Sequence, residues 1–274
     1  HIINADSIVI ENIYGGATSN GLWQLGGPKQ VIQNARLLSD AVLLKGGNNL
    51  TYQSNRLDGL SCGTLTVDDT NVDSWESKGA VIGTLVYGDG AGGGRFKADW
   101  STIGNVSAHG TSAADVLLVD CNVTGTHTVT SGTPSFHLSG SGQNIAQCAN
   151  MPTMPNVYLT NVYVANASNY TTSTGQQVYP VGCLFGGTIT PSGNGTKWKS
   201  RSTIYTNLAA GSGTYGFCAG VDDYATGTVA SGLQAPPGGG SFSAGERAWR
   251  INNTTGNPKS WIYSGSAWVS EGNL

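Results

Sequence analysis

The chain has 274 residues, a formal charge of −3, 11% charged residues, 41 glycines and five cysteines. That length fits one large β-domain or two smaller domains. The missing basic excess excludes a nucleic-acid footprint, no run of about 18 apolar residues reads as a membrane span, and the recurring Val, Ile, Leu and aromatic residues exclude a disordered chain.

With so few ions, solubility rests on abundant Ser, Thr and Asn, a composition suited to turns, β-structure and sugar contacts. The cysteines, Cys62, Cys121, Cys148, Cys183 and Cys218, are far apart and lack the spacing of a zinc site. They read as small buried hydrophobes of a chain made in a reducing cytoplasm.

The first residues, HIINADSIVIENIY, enter period-two alternation at once and carry no leader, so the sequence reads as a fragment of something longer. A repeat follows. IVIENIYGG, QVIQNARLL, LTYQSNRLD, LLVDCNVTG and VYLTNVYVAN each place an Asn (Asn12, Asn34, Asn55, Asn122, Asn161) inside a β-rich segment, the first three separated by 22 and 21 residues. The alternation changes phase at the Asn, as in a strand that bends and resumes, and Asn readily accepts the left-handed backbone such a bend needs. No stretch of 10–15 residues has helical periodicity, so parallel strands cannot be joined by helical crossovers. The expected fold over residues 1–190 is an all-β parallel β-helix, a solenoid of about 20 residues per coil. Stretches 84–105 and 125–156 break the period and are expected to project as loops.

Directly after the strand-like AVIGTLVY, GDGAGGG (88–94) has G-x-G-x-x-G spacing at Gly88, Gly90 and Gly93, but no helix follows. Lacking that context, it reads as a surface loop and not a dinucleotide site, and no other cofactor motif is present. Further along, TPSGNG (190–195) reads as a linker, KWKSRSTIY gathers Lys197, Lys199 and Arg201, and SGLQAPPGGGSFSAG (231–245) is a second joint. The expected organisation is a β-helix over 1–190, a β-rich connection over 191–233, and a terminal capping or trimerisation module over 234–274.

The last 30 residues, GERAWRINNTTGNPKSWIYSGSAWVSEGNL, carry a Gly-acid-Arg turn before a short strand, an Asn, a Gly-x-Pro-x-x-Trp element, and a final Trp followed by Gly. The matching residues are Gly245, Glu246, Arg247, Asn252, Gly256, Pro258, Trp261, Trp268 and Gly272. This stretch resembles the C-terminal module of bacteriophage tailspikes, and residues 1–190 resemble, more loosely, their pectate-lyase-like β-helix. Where family members often carry Cys after the first Trp, Tyr263 stands here. The resemblance implies a right-handed parallel β-helix, a homotrimer, and binding, commonly with cleavage, of bacterial surface polysaccharide (capsule or lipopolysaccharide O-antigen) during host adsorption. It also implies a virion protein made in the host cytoplasm and joined to the phage tail through an N-terminal domain before His1. A non-catalytic trimeric receptor-binding spike or adhesin, and a monomeric secreted pectate-lyase-like enzyme, remain as alternatives.

Glycoside hydrolysis needs two carboxylates, about 5–5.5 Å apart for retention and about 6.5–9.5 Å for inversion; elimination needs a base and charge stabilisation. Acids are scarce, so the cluster TVDDTNVDSWESK (66–78) stands out, as does KADWST (97–102). Asp73, Glu76 and Asp99 form the candidate acid/base set, Asp99 lying 26 residues, or just over one coil, beyond Asp73. Trp75, Trp100, Trp23 and Tyr87 are candidates for sugar stacking, each with simple packing as the competing role. His127 and His137 are expected as polar turn or surface residues, and Asp222-Asp223 as a turn. No metal site is expected.

Overall fold

A computed structural model of the chain describes residues 2–4, 8–11, 22–26, 30–37, 41–45, 55–68, 74–87, 95–108, 115–129, 132–166, 170–239, 242–252 and 256–272. The alternating apolar pattern folds into short strands, and each pairs in parallel with a strand one turn further on. The result is an all-β parallel solenoid followed by a small antiparallel sheet. The one helical element among the described residues is a 3-10 turn at Ser231–Gln234. Contacts divide the chain into two units, His1–Met154 and Pro155–Leu274.

In the first unit two ladders run side by side. One includes Ser61–Asp68, Val81–Tyr87 and Thr102–Ala108 in parallel register. The other includes Ser74–Lys78, Arg95–Asp99, Asp115–Val119 and Ser135–Ser139. Register stacks like on like: Cys62, Ile82, Ile103 and Val123 form one inward column, and Phe96, Val116 and Phe136 another. All are buried. Each Val, Leu, Ile or Phe so buried contributes about 1.5–3 kcal/mol, so the columns are the main source of stability.

The stretches expected to project as loops are instead regular turns of the ladders, with strands at Arg95–Asp99, Ser135–Ser139 and Ala146–Asn150. Within them, residues 88–94 and 130–131 lie outside the described residues. Glycine and polar residues obscured alternation there without breaking it. Gly83 shows why glycine recurs in these strands: a Cβ on it would meet the Gly63 carbonyl oxygen at 2.5 Å, and one on Gly104 would meet that of Gly83 at 2.1 Å. The backbones close on each other at a row that tolerates no side chain.

At the bend between ladders one residue per turn adopts a left-handed backbone: Asn34, Gly59, Gly79, Trp100 and Asp120 in the first unit, and Asn161, Gly182 and Ser202 in the second, with φ between 51° and 66°. Except at Ser202, its N–H donates to the next turn, as from Gly79 to the Asp99 carbonyl (3.0 Å) and from Trp100 to that of Val119 (3.0 Å). The Asn repeat is thus only partly the corner repeat. Asn34 and Asn161 occupy corners, but Asn55 begins the strand Asn55–Asp58, Asn122 lies in Asn122–Val123, and Asn12 falls outside the described residues. The corner selects a backbone conformation open to Gly, Asn and Asp, and the core columns set its register.

In the second unit the ladders continue through residue 190: Leu184–Thr190 pairs with Ile204–Leu208 and that with Tyr224–Ala225, while Gln177–Val181 pairs with Lys197–Lys199 and that with Gly216–Cys218. The stretch expected as a connection over 191–233 therefore contains further solenoid turns, and TPSGNG turns the chain between them. Phe185 and Tyr205 stack at 5.3 Å inside this core. The antiparallel sheet consists of Arg247–Trp249, Ser260–Tyr263 and Trp268–Ser270. Its Trp261 and Ala248 pack on Cys218 of the last strand of one ladder, and the Trp249 N–H donates to the Ala219 carbonyl (3.0 Å). Cys218, Ala248 and Trp261 form one buried cluster there, with Phe242 and Trp268 packed against it.

Candidate functional site

Two constellations face outward, one in each unit. In the first, strand register sets Glu76 opposite Lys97 and Lys78 opposite Asp99. Glu76 and Asp99 are therefore diagonal on neighbouring strands, with Cα atoms about 8 Å apart from the strand spacing and rise. Lys97 intervenes: its Nζ lies 3.4 Å from Asp99 Oδ2. Asp99 Oδ1 is buried without a hydrogen-bond partner among the described residues. Asp73, the third member of the expected acid/base set, lies outside the described residues.

Trp100 follows Asp99 at the corner. It holds a left-handed backbone, φ 53°, and is 56% exposed. Neighbouring corners are dissimilar: a Cβ on Gly79 would meet nothing within 4 Å, whereas Asp120 Oδ1 accepts from the Ser141 N–H at 2.7 Å and its other oxygen from the Ser141 hydroxyl. An indole face thus stands between an open shelf and a fixed carboxylate. For L-residues this backbone costs about 1–2 kcal/mol, which Gly escapes and Asn or Asp offsets by local hydrogen bonds. A bulky aromatic has neither compensation.

The other expected stacking residues differ from Trp100. Tyr87 is fully buried, 6.4 Å from the Phe96 ring, so its face is spent on packing and a glycan does not reach it. It sits in the inward column with Val67 and Ala108, where alternation alone placed an aromatic but not its direction. Trp23 and Trp75 are placed by register only, opposite Val42 and Phe96.

His127 corrects an expectation too. It is buried, registered with Val106 in a column with Leu85, and meets the Phe136 ring edge-on at 4.9 Å. Burial pushes its pKa down to about 4, against a carbonyl hydrogen bond that raises it. Its Nε2 lies 3.3 Å from Cys148 Sγ, but burial pushes that thiol up to about 12, so no thiolate forms near neutrality and the pair is no nucleophile and base. The other four cysteines are also free and buried.

The second constellation was not legible as a site in the sequence. A groove of about 880 Å³ is lined by Tyr179, Lys199, Arg201, Glu246, Arg247 and Trp249, among others. Tyr179 projects from Gln177–Val181 and stacks on Tyr158 of the neighbouring strand, centroids 5.0 Å apart and planes at 11°. Glu246 accepts from Lys199 Nζ at 2.8 Å, from Lys197 Nζ at 3.3 Å and from the Ser243 N–H at 3.1 Å. Burial draws its pKa upward, but these donors and charges outweigh it, so the carboxyl titrates below its usual range. A general acid needs the opposite shift.

Asp223, behind the groove, has a raised pKa through burial, although Ser200 Oγ and the N–H groups of Thr203 and Gly220 donate to it. It braces two corners. Among the described residues no three His, Cys, Asp or Glu side chains gather as a metal cluster. Protein-family models, curated proteins and solved structures give no match to this chain.

Proposed function

We propose that this chain is the glycan-binding part of a bacteriophage tailspike and that its solenoid flank holds bacterial surface polysaccharide during host adsorption. One observation carries the reading. Trp100 keeps a strained backbone, yet more than half of its surface faces water. Packing does not repay such strain, whereas an aromatic platform for a sugar ring does. The solenoid, the antiparallel sheet after it and the Gly245-Glu246-Arg247 turn with its following tryptophans accord with the family resemblance.

The test is retention of host polysaccharide on immobilised protein. Trp100→Asn, which suits the corner backbone, is expected to fold and to lose at least about tenfold in affinity, in line with the stacking energy of a base on an aromatic. Unchanged retention by a folded variant ends the reading.

The diagonal placement of Glu76 and Asp99 favours a second reading, in which the flank also cleaves the glycan. Its check is release of new reducing ends or unsaturated ends, lost in Glu76→Gln and Asp99→Asn. Cleavage that persists in both variants removes these carboxylates as the acid/base pair.

Assembly belongs to the same proposal. Tyr163, Leu184, Ile204 and Tyr224 stand in register on four successive turns of the second unit, and the last three are 42%, 42% and 53% exposed. An apolar row of this kind is suited to burial between copies of a homotrimer.

A further inference from the structure

The groove in the second unit has an unbalanced charge. Glu246 is shared by two ammonium groups, Lys197 and Lys199. Arg247 is taken by Glu271 at 3.0 Å. Arg201 lines the same groove and is exposed, and the ion pairs found among the described residues do not engage it. A guanidinium fork matches a carboxylate with two parallel hydrogen bonds.

The rest of the lining is suited to a sugar. Tyr179 presents an aromatic face extended by its stacked neighbour Tyr158, and Trp249, Val181 and Val221 add apolar wall. Ser200 and the Gly220 backbone stand beside Arg201 on that lining. The volume, about 880 Å³, falls within the range of ligand pockets, about 300–1,000 Å³. Simple anions need no such wall, and a neutral sugar leaves the cation unmatched.

We propose that this groove binds a carboxylate-bearing sugar unit, with Arg201 holding the carboxylate and Tyr179 carrying the ring. The inference rests on the reading of the chain as a glycan binder and adds a chemical class and a second site, separate from Trp100. Lys199 supplies further positive potential, while Glu246 fixes the two lysines in place and accepts a sugar hydroxyl at its rim.

Calorimetry on the full chain tests it, with an oligogalacturonide and its methyl ester as probes. Wild type is expected to bind the acid at least about tenfold more tightly than the ester, the usual cost of losing a charged hydrogen-bond pair. Arg201→Gln abolishes that preference, and Arg201→Lys, which keeps the charge but not the fork, restores part of it. Equal binding of acid and ester, no binding of the acid, or an Arg201→Gln variant that still prefers the acid overturns the inference. Those results leave the Trp100 test with host polysaccharide untouched, so the two proposals fail separately. Arg201 is exposed, and an unchanged melting temperature checks that each variant is folded.

Discussion

The indole N–H of Trp198 donates a 2.8 Å hydrogen bond to the phenolic oxygen of Tyr205, and both side chains are fully buried. They stand on different strands of the second unit, so the bond ties one ladder to the other through the core. Tyr205→Phe keeps the ring but strands the indole donor, and the expected loss is about 1–3 kcal/mol. Chemical denaturation measures it; a loss below about 0.5 kcal/mol, the level of a neutral surface change, contradicts the role.

Gly104 and Gly79 make opposite demands on the chain. At Gly104 an added methyl group meets a carbonyl oxygen at 2.1 Å, whereas at Gly79, φ 65°, it meets open space. Gly104→Ala is expected to cost about 3 kcal/mol or more because a ladder must open, and Gly79→Ala only the left-handed penalty of about 1–2 kcal/mol. Equal melting temperatures for the two variants argue against the close approach.

At Trp100 the sign reverses. Trp100→Asn relieves strain and is expected to stabilise the fold by about 1 kcal/mol, an increase of about 2–4 °C in Tm for a chain of this size. A drop in Tm shows instead that the indole packs for stability.

His127 predicts acid sensitivity. Its folded pKa, about 4, is below the unfolded value of about 6.5. The unfolded chain therefore binds a proton that the native state refuses, and stability present above about pH 6.5 is lost as pH falls towards 4. The full difference is about 3 kcal/mol. Melting curves between pH 7 and 4 show this slope, and His127→Leu flattens it; an identical slope in both proteins places the sensitivity elsewhere.

Ile204→Lys places a charge in the middle of the exposed row shared with Leu184 and Tyr224. Sedimentation is expected to find wild type associated and the variant monomeric. A variant that remains associated, or a monomeric wild type, removes this row as the interface.

Period-two alternation without helical stretches was enough to anticipate a parallel solenoid, because inward columns require it. The corners were harder to read. Asn34, Gly59, Trp100 and Asp120 share a backbone conformation but no side-chain chemistry, so a search for one letter finds some corners and misses the rest. Tyr87 and His127 face inward because their neighbours in register are apolar, a relation between residues about 20 apart that no local window contains. The groove of the second unit draws on residues near 180, 200, 220 and 246, and only the basic cluster at 197–201 hinted at it.

The corner row has a consequence for how such a protein changes over time. Each occupant answers to a backbone conformation and lies apart from the inward columns, so a corner with open space beside it, such as Gly79, can change its side chain without repacking the interior, whereas Gly59 and Gly182 stand against Asn34 and Asn161 and cannot. Inside one unit, corners of adjacent turns recur at about 4.8 Å, the spacing of adjacent strands. Within each unit the row is a pegboard of fixed pitch: new specificity arises by moving one peg, and a ligand is read by which holes are filled.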